Sequence, residues 1–476
     1  MIVGLLVGGL AVIFHATVDR LAAFRTSFVA GAFDGSTVIQ TVTAWLSLGV
    51  ERLPAALGSK LDPLVLARFA LTAAAVIACM VIARWLVRRF APEAAGSGVQ
   101  EIEGTLLGLR HMRWRRVLAV KFVGGVLALG AGFVLGREGP TVQMGGAAAL
   151  GLAKGARCTA GESRALLAAG AGAGIAAAFN APIAGALFVA EELRREAPYN
   201  FQGYHAVLIA CVIATLMTQA LAGVGPELRL PMSTPDLAHY PFYLGLGVLL
   251  GAAGVLFNRL LVGGLDLFAA WSRRAGWSLV LLLSLGLSLL LFLAPTATGG
   301  GEQIVPALTG AAPGLAALAL LLLVRTVATV ASYAAGMPGG VFAPILGLAT
   351  VAGLTYAELV NLVLPWVALA PEAVAAAAMA ALFTGSVRAP LVGVVLVAEL
   401  TDGYPAVVAI ALSTAMASLT AAALQGRPLY EILLERTLRL AGKAQPGAVD
   451  RIDGRAAKPS NQAASDGRPA RQSSAP

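Results

Sequence analysis

The chain has 476 residues, of which 58% are apolar and 12% charged, with a mean hydropathy of +0.80 and a formal net charge of +9. An ordinary soluble chain carries roughly 25% charged residues, and too few are present here to cover a water-facing surface, so the chain reads as a polytopic membrane protein. The basic residues sit in short loops between apolar runs, which marks topology rather than nucleic-acid binding.

The first apolar run, 1–18, follows Met1 without a basic flank or a small-residue cleavage site, so it is not read as a cleaved signal peptide. Further runs follow at 36–57, 63–90, 117–135, 138–156, 164–178, 182–193, 203–223, 240–262, 277–295, 314–335, 342–364, 371–384, 390–400 and 405–425. A simple spanning helix needs about 20 apolar residues. Several of these runs are shorter and begin or end at Gly or Pro, the signature of half-helices whose ends face a protein-lined cavity instead of lipid. Basic residues cluster at Arg84, Arg88, Arg89, Arg110, Arg113, Arg115, Arg116 and Lys121, and again at Arg427, Arg436, Arg439 and Lys443, which puts both regions on the cytoplasmic side. The expected organisation is a transmembrane domain over 1–442, with a first half over about 1–223 and a second over about 240–442, and a disordered cytoplasmic tail over 443–476.

The two halves repeat. NAPIAGALFVAEEL around Pro182 matches RAPLVGVVLVAELT around Pro390, with identities at Ala181/Ala389, Pro182/Pro390, Gly185/Gly393, Val189/Val397, Ala190/Ala398 and Glu191/Glu399, an offset of 208 residues. Upstream, GREGP ending at Pro140 pairs with GVFAP ending at Pro344, an offset of 204. Repeats of this kind bracket a binding site between the ends of broken helices near the bilayer midplane. The pattern alone leaves parallel and inverted arrangements both open.

Four Gly/Pro-rich junctions mark where such a site would form: GSGVQ at 96–100, GREGP at 136–140, GVFAP at 340–344 and GRPLY at 426–430. A helix start carries roughly half a positive elementary charge and free N–H groups. Several starts converging on one point bind an anion without a full cation, so the anion can also leave. Ser97 and Tyr430 add hydroxyl donors, and no cluster of carboxylates suits a hard cation. Neither the three cysteines, Cys79, Cys158 and Cys211, nor the four histidines, His15, His111, His205 and His239, show metal spacing or a nucleophile–base pattern, so no metal, cofactor or enzymatic activity is expected.

GSGVQEIEG, GREGPTVQ, GAGIAAAFNAPIAGALFVAEE, GMPGGVFAP, RAPLVGVVLVAELTD and GRPLY together resemble the CLC chloride channel and transporter family, nearest to its bacterial proton-coupled exchangers. The resemblance runs from about residue 96 to 440, in order and in spacing. It implies an all-α fold of two inverted-topology repeats of tilted and broken helices. It also implies a homodimer with one pore per subunit, in the bilayer of a bacterial inner membrane.

Carried over by position, the resemblance makes Ser97 and Tyr430 side-chain ligands of chloride, completed by the backbone N–H groups of Val341 and Phe342. Glu138 takes the place of the external gating glutamate, and Glu192 that of the internal proton-transfer glutamate. From residue chemistry alone, Glu192, in EELRRE, reads equally as a solvated cytoplasmic cap, and Glu191, repeated as Glu399, reads as structural. The sequence departs from the family at Val99-Gln100, where Ile-Pro is usual; Gln100 restores an N–H and adds an amide. The expected function is exchange of chloride for protons, with Glu138 as gate and proton carrier. A passive chloride channel of the same fold is the alternative, and the acid at Glu192 favours exchange.

Overall fold

Sixteen α-helices carry nearly all the described backbone, and the sheet-like pairings among the described residues are two isolated bridges. The structure is a computed structural model that describes residues 1–30, 63–193, 201–225, 228–301, 304, 308 and 313–442. The apolar run at 36–57 and the tail over 443–476 lie outside the described residues, as do Arg194 and Arg195.

The first half comprises α1 (Ile2–Ala30), α2 (Pro63–Phe90), α3 (Val99–Leu106), α4 (Trp114–Gly130), α5 (Glu138–Gly155), α6 (Ala160–Phe179), α7 (Pro182–Glu191) and α8 (Phe201–Ala222). The second comprises α9 (Tyr240–Ala275), α10 (Ser278–Leu293), α11 (Leu315–Ala334), α12 (Phe342–Val363), α13 (Pro371–Val387), α14 (Pro390–Thr401), α15 (Val407–Ala423) and α16 (Leu429–Leu440). Seven of the described helical stretches are long and apolar enough to cross a membrane, whereas α7, α10, α13 and α14 are shorter. On α10 the side chains of Leu281, Leu282, Leu285, Leu289 and Leu293 all face outward. A row of that size is unfavourable in water and suits lipid. Between helices the packing relies on small residues: a Cβ on Gly145 would run into the carbonyl of Gly170, and one on Gly170 into that of Gly145, so α5 and α6 meet backbone to backbone.

The repeat is visible at the level of single residues. α6 ends in Asn180 at φ +53° and α13 in Arg388 at φ +71°, both left-handed, and each is followed by an alanine with nearly the same dihedrals, −126°/81° at Ala181 and −116°/80° at Ala389. A proline then opens α7 and α14, where its missing N–H costs no intrahelical bond. Arginine is an unusual left-handed residue; here its guanidinium is anchored by a 2.7 Å bond to the Ser418 carbonyl.

Glu191 and Glu399 tie the halves together. At the end of α7, Glu191 accepts the N–H groups of Leu391 and Val392 at the start of α14, at 3.2 and 2.8 Å. At the end of α14, Glu399 accepts those of Ile183 and Ala184 at the start of α7, at 3.2 and 2.8 Å. Each helix therefore ends where the other begins. The two run antiparallel, related by a two-fold rotation, which is the relation an inverted repeat requires. Glu399→Ala leaves two N–H groups of α7 without acceptors, a loss of about 1–3 kcal/mol; thermal unfolding in detergent is expected to show a clear drop in midpoint, with Glu191→Ala producing a drop of similar size.

Candidate anion site

The four junctions meet in the interior. Met337–Gly340, the extended run before α12, is stitched on both edges. On one edge the Gly96 N–H donates to the Met337 carbonyl at 3.0 Å and the Gly339 N–H to the Gly96 carbonyl at 3.1 Å. On the other, Gly136 and Gly340 exchange N–H···O bonds of 2.8 and 2.7 Å. The starts of α3, α5 and α12 are thereby held beside one another.

Ser97 lies between two left-handed glycines, Gly96 at φ +62° and Gly98 at φ +89°, a conformation that glycine adopts without strain. Its side chain is fully buried. Tyr430 is the second residue of α16, is also fully buried, and stacks its ring on Phe342 with centroids 5.9 Å apart and planes at 23°. The Ser97 and Tyr430 hydroxyls are close enough to interact. Neither makes a well-formed hydrogen bond to any described residue. Phe342 also packs against Phe179, Phe188 and Phe383, so the hydroxyls are walled by aromatic surface.

Glu138 is the first residue of α5 and is fully buried. Its Oε1 accepts the Ala343 N–H at 3.2 Å, which places the carboxylate on the N-terminus of α12. The first N–H groups of that helix have no intrahelical acceptor, and Val341 and Phe342 occupy its N-cap and first positions. A Cβ on either Gly136 or Gly340 would collide with the carboxylate, and one on Gly139 would come within 2.8 Å of Ser97 Oγ. The glycines are therefore what admits Glu138 to this place. The adjacent Arg137 turns away, with its guanidinium 3.7 Å from Asp19 on α1.

Glu192 is the C-cap of α7, partly exposed, with its N–H bonded to the Phe188 carbonyl at 2.9 Å. Tyr430 is within electrostatic reach of both Glu138 and Glu192. The structure thus brings Ser97, Tyr430, Glu138, Val341 and Phe342 to one interior place, while Glu192 caps the end of α7.

Buried charged and polar residues surround the site. Lys121, counted in the sequence among cytoplasmic loop cations, is fully buried on α4 and donates to the carbonyls of Ala94 and Gly96 at 3.1 and 2.6 Å. Its repeat mate 204 residues on, Arg325, is likewise fully buried and donates to the carbonyls of Thr298 and Gly299 at 3.3 and 3.1 Å. Glu101 pairs with Arg110 through two 2.9 Å bonds, and Glu93 with Arg113 at 2.8 and 2.7 Å. Gln100 is buried in the first turn of α3, and its side-chain oxygen meets no donor among the described residues.

Residues 79–422 match the family described as voltage gated chloride channel. The chain belongs to this family. Among its relatives, a transporter of Vibrio cholerae named H(+)/Cl(-) exchange transporter ClcA is 39% identical over 407 residues, covering 84% of each chain. The protein of the same name from Vibrio parahaemolyticus is 40% identical over 432 residues, 90% of each chain. A solved structure titled as a slow cyanobacterial Cl-/H+ antiporter superposes with a TM-score of 0.80 at 32% identity, covering 92% of this chain and 96% of that one. The voltage gated chloride channel match spans α3 to α15 and so contains both stitched edges.

Gly340→Ala sets a methyl group against the Glu138 carboxylate and the Gly139 nitrogen. Overpacking of this kind weakens an interaction about ten-fold or more, and isothermal titration with chloride is expected to record that loss, while Gly263→Ala, whose Cβ meets open space, leaves the affinity unchanged.

Proposed function

We propose that this chain is a secondary active transporter that exchanges chloride for protons. The observation that carries the reading is the Glu138 carboxylate held on the N-terminus of α12, beside the buried hydroxyls of Ser97 and Tyr430. Membership of a family whose relatives are named exchangers supports the same conclusion.

An ionised carboxylate inside the bilayer costs about 2.5–3.5 kcal/mol even on insertion scales. The helix start offsets that cost, because its N–H groups and positive end stabilise any anion placed there. Chloride is such an anion, so a charged Glu138 and a chloride ion compete for one place. Protonation cancels the carboxylate's claim on the N–H groups, the side chain leaves, and chloride takes its position. Deprotonation reverses the exchange. Proton and chloride thereby move in opposite directions through the action of one side chain.

Ser97 and Tyr430 donate hydroxyls to chloride, and the N–H groups of Val341 and Phe342 complete its shell. Glu192, partly exposed at the end of α7, passes the proton between Glu138 and the inner aqueous side. The assembly is a homodimer with a pathway in each subunit, and the tail and basic loops face the cytoplasm of a bacterial inner membrane; the resemblance of the motifs supports these points.

In liposomes with an imposed chloride gradient, the protein is expected to drive protons uphill; chloride flux with no proton movement would overturn the exchanger. Glu138→Gln is expected to abolish proton movement while retaining chloride flux, and that flux should no longer vary with pH. Glu192→Gln is expected to uncouple protons but keep the pH response of chloride flux, because Glu138 still titrates; fluorescence pH assays alongside chloride-electrode recordings distinguish the two.

A further inference from the structure

Tyr333, on α11, belongs to none of the motifs that mark the site, yet its hydroxyl lies against the first junction. The side chain is 3% exposed. Its oxygen accepts the Ser97 N–H at 3.3 Å, and no described residue accepts its own hydrogen. A Cβ on Gly96 would lie 3.0 Å from that oxygen, so the phenol rests directly on the turn that carries Ser97. The Tyr430 hydroxyl, close to that of Ser97, is also within electrostatic reach of Tyr333.

Three hydroxyls, those of Ser97, Tyr333 and Tyr430, therefore share one buried region. The oxygen's bond from the Ser97 N–H accounts for one side of the hydroxyl, and enclosing an O–H whose hydrogen meets no acceptor is unfavourable. With its oxygen already accepting an N–H, the Tyr333 hydroxyl has donation as its remaining function, and accepting one bond polarises it as a donor of the next. A polarised donor with no acceptor among the described residues, resting on the turn that leads into α3, matches an anion.

We propose that Tyr333 is an anion-binding residue of the pathway: its oxygen takes up the Ser97 N–H, and its hydrogen is donated to chloride as the ion passes between Ser97 and Tyr430. This rests on the reading of the chain as a chloride carrier. It also assigns a use to the Ser97 N–H, whose donor capacity reaches the ion through the phenol.

Tyr333→Phe removes the hydroxyl and keeps the ring. Isothermal titration of the purified full chain with chloride is expected to show binding weakened about ten-fold, the size of a lost hydrogen bond to a charged group. Thiocyanate, a poorer hydrogen-bond acceptor, is expected to lose less. Tyr356→Phe, which removes a hydroxyl bonded to the Phe242 carbonyl, serves as the control and leaves chloride binding unchanged. In liposomes the proton-to-chloride ratio of Tyr333→Phe stays at the wild-type value, since Glu138 and Glu192 are intact. Unaltered chloride affinity in Tyr333→Phe, with normal wild-type binding, would overturn the role of Tyr333 alone. Equal losses for chloride and thiocyanate, together with a lower unfolding temperature, would also overturn it by marking the residue as a structural prop. A wild-type chain that binds no chloride would instead sink the functional reading itself.

Discussion

Four backbone hydrogen bonds on a four-residue run, Met337–Gly340, determine where everything else in the site can be. Each such bond contributes only about 1 kcal/mol in water, but inside a bilayer the groups have no water to turn to. The run therefore acts as a seam, with the Ser97 turn on one side and the Glu138 turn on the other. Because the seam immediately precedes α12, the first N–H groups of that helix face both turns. No side chain has to reach far: the site is made of backbone brought to within contact distance at glycines.

The electrostatics follow from the same constraint. The positive potential at Glu138 comes from oriented N–H groups, while nearby full cations are committed elsewhere. Lys121 is spent on two carbonyls behind the Ser97 turn, and Arg137 points toward Asp19. A full cation at the site would hold an anion strongly and slow its departure; partial charges hold it and release it. Lys121 and Arg325 occupy equivalent places in the two halves and perform the same task, gathering the carbonyls of a turn that follows a short 3₁₀ segment, at Pro92–Ala94 and at Pro295–Ala297. In the first half that turn carries a serine; in the second, Gly301, where a Cβ would run into Arg325. The repeat thus preserves a scaffold while only one copy displays a hydroxyl.

Much of this was legible in the sequence because the site is built at chain breaks, and Gly and Pro announce breaks. The offset repeat pointed to two related halves, and the acidic residue in GREGP stood out against its apolar surroundings. The inverted relation came into view only with the reciprocal bonds of Glu191 and Glu399, because direction across the membrane is not written in residue spacing. Lys121 was misplaced for a physical reason: a lysine near other basic residues carries the same topological signal whether it faces water or carbonyls. Tyr333 was invisible because it sits inside an ordinary apolar helix, and its significance depends on a partner 236 residues away.

The paired carboxylates of α7 and α14 bear on how a cargo can cross such a molecule. Four N–H···O contacts latch one half to the other through their shared two-fold. Rocking the halves apart at this joint, as a hinged carrier does, would break all four together. The joint is closed at both ends of its pseudo-symmetry axis, so separating the halves there carries the cost of two helix starts left without their acceptors.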